Sequence, residues 1–156
     1  MLTMTQKTLK HVMTDPAVDT TLSMVADMVG LSKDMVIKIV ESGLPMMANV
    51  ADEDPWVFKA MFAQSVKYLP QPAPAFYAKL GKNAAARQAE AAGFRDIYGP
   101  MTETINRDTA RNASATEQQT SQVLAAIMPA AVKALGKANL NGNEMGFGRQ
   151  LRNLNA

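Results

Sequence analysis

The sequence predicts an all-α fold, a compact globule of about seven short helices, and three observations carry that expectation. Apolar residues recur at helical spacing along most of the chain. Helix-start and helix-stop residues bracket those stretches, and no segment alternates apolar with polar residues as a half-buried strand would.

Asp15-Pro16 is the first start signal, an N-cap followed by proline at the first helical position. The helix it opens places Val18, Leu22, Val25 and Val29 on one face and stops at Gly30. Ser32 caps the next, whose apolar stripe is Met35, Val36, Ile39 and Val40. Gly43 weakens its end, and Pro45 makes Leu44 to Val50 either a kinked continuation or a separate turn. Asp54-Pro55 repeats the start signal for a helix lined by Trp56, Met61, Phe62 and Val66 that ends near Leu69. Pro70, Pro72 and Pro74 form a rigid linker over 70–74. Phe76, Tyr77 and Leu80 fit a short helix ended by Gly81, and Asn83 caps an Ala-rich helix ending at Gly93. Gly99-Pro100 restarts helix through about Ala110. Thr116 begins the last strong one, with Val123, Leu124, Ile127, Met128, Ala131 and Leu135 apolar and Gly136 at its end. Residues 1–136 thus read as a single helical domain, and 137–156, rich in Asn and Gly, as a loosely ordered tail.

The 156 residues suit one domain, and 47% apolar with 19% charged residues argues against global disorder. The absence of cysteine excludes disulfides, thiolate nucleophiles and Cys-ligated zinc. No apolar run approaches the roughly 18 residues that span a bilayer, and Met1 to Met13 lacks the apolar stretch of a signal peptide, so a cytoplasmic location is expected. The net charge of +2 is spread out, with no run of Lys or Arg to mark a nucleic-acid or membrane surface. Of twelve methionines nine lie within the first 61 residues. They read as core filler, or alternatively as an adaptable apolar binding face.

An internal similarity organises the chain. Shifted by 84 residues, Ala26 falls on Ala110, Ser32 on Thr116, Ile39 on Val123, Val40 on Leu124, Leu44 on Met128 and Pro45 on Pro129. A cap, an apolar pair and a proline recur at the same separations, as in repeated units that bury their faces against each other. The repeat units are about 26–51 and 110–135, two related helix–proline–helix segments. The segments running from Ala26-Asp27-Met28-Val29-Gly30-Leu31-Ser32 to Leu44-Pro45-Met46-Met47, and from Thr116 through Ile127-Met128-Pro129 to Leu135-Gly136, resemble the paired apolar repeats of the uncharacterised bacterial YidB-like family. The resemblance spans roughly residues 18–136, and this chain is richer in Met and Ala than the Gly/Leu-rich family. It implies an all-helical bacterial domain and supplies no catalytic residues.

Reactive groups are sparse. His11 is the only histidine, in an N-terminal segment expected to be mobile; a Ser-His-Asp triad would have to be built on this side chain, which reads as solvated, and a histidine-based metal site lacks its second ligand. Asp52, Glu53 and Asp54 are followed by Pro55, Trp56, Val57 and Phe58, which cannot ligate. Helix capping explains these acids better than a Ca²⁺ loop. Gly142, Gly146 and Gly148 lack the strand and the Gly-Lys-Ser/Thr of a phosphate loop. Glu90, Asp96 and Glu103, set among Arg87, Arg95 and Arg107, read as a solvated helical surface. No catalytic, cofactor-binding or metal-binding residue is therefore assigned, and no cofactor is expected.

The sharpest alternative is a helix-turn-helix over Val25 to Val40. Gly30 would make its turn, Val36 and Ile39 its small core, and Lys33, Asp34, Ile37 and Lys38 its groove face. Lys33 and Lys38 would be the nucleic-acid contacts. Residues 1–50 carry four Lys against five acids, and no Arg, Asn or Gln lies between Lys33 and Glu41 to read a base, which weighs against it. The reading is a non-enzymatic bacterial interaction or structural protein whose partner is a protein, itself or another. A DNA-binding regulator is the first alternative, and a small-ligand binder or unrecognised enzyme the second.

Overall fold

The computed structural model describes residues 4–70, 92–139 and 142–155. The described residues are helical with no strand, in agreement with the expected fold class. The elements are α1 (Met4–Met13), α2 (Pro16–Val29), α3 (Lys33–Glu53), α4 (Pro55–Tyr68), α5 (92–98), α6 (Met101–Ala113), α7 (Glu117–Ala138) and α8 (Glu144–Asn155). Pro72, Pro74, the helix expected at Phe76 to Gly81 and the Asn83 cap lie outside the described residues.

The capping residues act as their chemistry dictates. Asp15 accepts hydrogen bonds from the amides of Ala17 and Val18 at 2.9 and 3.4 Å. Gly30 closes α2 in the left-handed region at φ +71°, and the amides of Gly30 and Leu31 both donate to the Ala26 carbonyl. Ser32 then accepts from the Met35 amide at 3.2 Å. The same construction recurs 84 residues on. Ser114 takes the left-handed turn at φ 58°, its amide and that of Ala115 donate to Ala110, and Thr116 forms a capping box with Gln119. Pro45 and Pro129 sit inside α3 and α7 respectively. The equivalence also reaches upstream of Ala26, because Pro16 opens α2 and Pro100 caps α6.

The two halves interlock. α3 and α7 pack on each other, while α2 packs chiefly on α7 and α6 on α3; likewise α4 packs on α7 and α8 on α3. The outer helices of each half therefore bury their faces mainly against the long helix of the other. α7 is at the centre, buried at every position from Val123 to Leu135, which explains a helix apolar on all sides. Its one buried charge is Lys133, whose Nζ donates to the carbonyls of Tyr68 and Leu69 at 3.0 and 2.6 Å. It thereby serves the carbonyl end of α4, where the helix dipole favours a cation. Burial lowers the Lys133 pKa and the nearby Lys137 charge adds to this, with Asp15 opposing.

Several expectations need correction. The helices are not uniformly short: α3 and α7 have 21 and 22 residues and run through Gly43, Pro45, Pro129 and Gly136 without a break. Burial of Leu44, Met47, Ala48 and Ala51 holds α3 together beyond the proline. Gly93 lies within helical residues rather than at a helix end. On α4 the buried face is Val57, Met61, Ser65 and Tyr68, so Trp56 and Val66 point outward. The expected tail, 137–156, instead contains α8, with Phe147, Leu151 and Leu154 buried at helical spacing and packed on α1 and α3. The Asn and Gly residues that suggested looseness are its start signals. Asn143 accepts from the Gly146 amide at 2.9 Å, and Gly142 turns at φ +67°. His11 lies on α1, solvent-exposed as expected, in a segment that is helical rather than unstructured.

A candidate docking cleft between the α3–α4 corner and α8

Asp54 makes the corner. It ends α3 with its amide on the Val50 carbonyl at 2.9 Å, and it starts α4 with its carboxylate accepting from the Trp56 amide at 2.9 Å. Pro55 then sits at the first helical position, where its missing N–H costs nothing. One residue thus turns the chain sharply and leaves a recess that α8 covers only in part. The recess is about 440 Å³, lined by Ala51, Asp52, Pro55 and Phe58 on one wall and Glu144, Met145, Gly148, Leu151 and Arg152 on the other.

Aromatic packing joins the walls. The Phe58 ring packs against Phe147 with centroids 6.1 Å apart, and Phe62 packs against the same ring at 5.6 Å. Gly148 lets α8 lie close to that stack, since a Cβ there would come within 3.3 Å of the Phe58 ring. Two large apolar side chains remain in solvent at this end of the molecule. Met145, on the cleft wall, is 72% exposed, and Trp56, next to Pro55, is 60% exposed.

Two carboxylates line the recess, Asp52 on one wall and Glu144 on the other; both are exposed, and neither takes part in a salt bridge among the described residues. Arg152 is the cation of the lining. Among the described residues no three His, Cys, Asp or Glu side chains gather closely enough to hold a metal ion.

The residues singled out in the sequence do not meet here. Lys33 is paired with Asp19 of α2 at 2.7 Å, tying α2 to α3, and Lys38 is exposed farther along α3. Val36 and Ile39 are fully buried as a helix-turn-helix core requires, but the same hairpin recurs in α6–α7, where Glu117 and Gln122 stand in place of the two lysines. Arg95 pairs with Glu103 and holds that carboxyl below its ordinary pKa, while Arg107 pairs with Asp108 at 3.2 Å. Glu90 and Arg87 lie outside the described residues. Gly142, Gly146 and Gly148 serve the start and packing of α8. The cleft itself was missed because its walls are far apart in sequence. The only available signal was the helical spacing of Phe147, Leu151 and Leu154.

Comparisons with family models, curated proteins and solved structures find no match to this chain.

Proposed function

We propose that this chain is a non-enzymatic protein-interaction domain that receives an apolar side chain of a partner polypeptide in the cleft between the α3–α4 corner and α8. The observation that carries the reading is a mostly apolar recess with one exposed apolar side chain on its wall, Met145 of α8, and a second, Trp56 of α4, next to the lining residue Pro55. Trp is enriched among the residues that dominate binding energy, and Met repacks cheaply around varied partners. Seating one apolar anchor would contribute roughly 1.5–3 kcal/mol, enough for reversible association when backbone contacts add to it. An all-helical bacterial domain of the kind the YidB-like resemblance implies suits such a role.

The test is affinity capture from native lysate with the unaltered chain and with Trp56→Ser/Met145→Ser, two changes at exposed positions that spare the core. A reproducible protein partner lost with the double variant supports the reading. Partners retained equally by both forms would refute the cleft as the docking site. Recovery of bound DNA that depends on Lys33 and Lys38 would favour the regulator instead.

A further inference from the structure

We infer that the segment docking in this cleft is basic: an apolar anchor side chain flanked by Lys or Arg. The inference rests on the docking reading above and adds the partner's charge to it. The argument is charge complementarity. Two carboxylates line the recess, Asp52 and Glu144, both exposed and neither in a salt bridge among the described residues. They stand on opposite walls, one at the α3–α4 corner and one at the first residue of α8, against Arg152 as the cation of the lining. A partner with acidic flanks would place like charges together at close range, which suppresses docking, while basic flanks are steered toward the mouth.

The dimensions agree with a side-chain anchor. About 440 Å³ admits one or two large apolar side chains, while a whole helix, roughly 10 Å across, would remain at the mouth. The same two carboxylates disfavour an anionic lipid surface, although Met145 on the wall and Trp56, next to Pro55, are exposed.

The single tryptophan of the chain stands beside the cleft and is its own reporter. Three short peptides serve as probes: a Leu anchor with Lys flanks, a Leu anchor with Glu flanks, and an Ala replacement with Lys flanks. Binding is followed by Trp56 emission and by amide shifts of Ala51, Phe58 and Gly148. The Leu/Lys peptide should saturate with a blue shift, and the Leu/Glu and Ala/Lys peptides should bind about tenfold more weakly or less. Raising salt should shrink the Lys-over-Glu preference. Asp52→Lys/Glu144→Lys, both at exposed positions, should reverse it, with Asp52→Asn/Glu144→Gln intermediate. Equal affinity for the Leu/Lys and Leu/Glu peptides would overturn the charge inference and leave the docking reading standing. No amide shift at the cleft with any peptide would overturn both. A Trp56 response to phosphatidylglycerol vesicles in place of peptide would assign the surface to lipid and overturn the inference.

Discussion

Leu124 of α7 lies against the bare Cα of Gly43 in α3, so close that a Cβ on Gly43 would stand 2.6 Å from Leu124 Cδ2. This contact sits where the two long helices pack on each other. Gly43→Ala gains about 1 kcal/mol of helix propensity, but the forced shift of a fully buried Leu124 costs about 1–3 kcal/mol. The expected net result is destabilisation. In a Leu124→Ala background the clash is gone, and the same substitution should be neutral or stabilising. Urea unfolding of the four chains in a double-mutant cycle measures this, and additive effects would show that the helices do not meet at this point.

Asn106 of α6 occupies the place that Leu22 holds in α2. Both are buried, and so are their neighbours, Thr102 and Thr109 in one helix against Val18 and Val25 in the other. The Asn106 Oδ1 and Thr102 Oγ1 atoms are buried with no hydrogen-bond partner among the described residues, and the Thr109 hydroxyl donates to the Met46 sulfur at 3.2 Å. The α6–α3 contact is therefore the more polar of two equivalent contacts. Asn106→Leu should raise stability by about 1–2 kcal/mol, because an unsatisfied buried carbonyl is replaced by hydrocarbon of similar shape. Amide exchange in α6 should slow with it. A loss of stability would mean that the amide is satisfied and α6 is well seated.

Tyr98 of α5 is buried, its ring packed on Phe94 with centroids 4.6 Å apart and its hydroxyl donating to the Met61 sulfur at 3.1 Å. Burial pushes the phenol pKa far above its ordinary value. Below about pH 10 the phenol is protonated in both states and contributes no pH dependence. Above that value the unfolded chain loses the proton and the folded chain keeps it, so stability falls by about 1.4 kcal/mol per pH unit from this group alone. Tyr98→Phe should remove that component. Unfolding free energies followed from pH 9 upward should diverge between the two chains, and parallel curves would place the phenol in contact with water.

Capping chemistry made most of this fold legible. Asp15, Ser32, Asp54 and Thr116 all cap helices where their position before an apolar stripe implies it, and the offset from Ala26 to Pro129 marks two units whose turns and caps coincide. Helix ends and burial were less legible, because tertiary packing overrides local signals. Gly43 and Gly136 break helices by propensity, yet both lie inside long helices here, and Gly43 admits Leu124. Trp56 belongs to the core by hydrophobicity, yet the contact of α4 with α7 turns another face inward. The cleft depends on Pro55 and Phe58 meeting Met145 and Gly148 across the molecule. No local spacing encodes that meeting.

Reception of a protein by this cleft can be observed in the cell. The most direct measurement replaces Met145, which is 72% exposed, with a photoreactive benzophenone residue, irradiates living cells and identifies the products by mass spectrometry. The expected result is a reproducible cross-link to a polypeptide, formed at a residue beside Lys or Arg and reduced by Asp52→Lys/Glu144→Lys. Cross-links only to nucleic acid or lipid, or none above those formed from a control position such as His11 on the exposed face of α1, would contradict it.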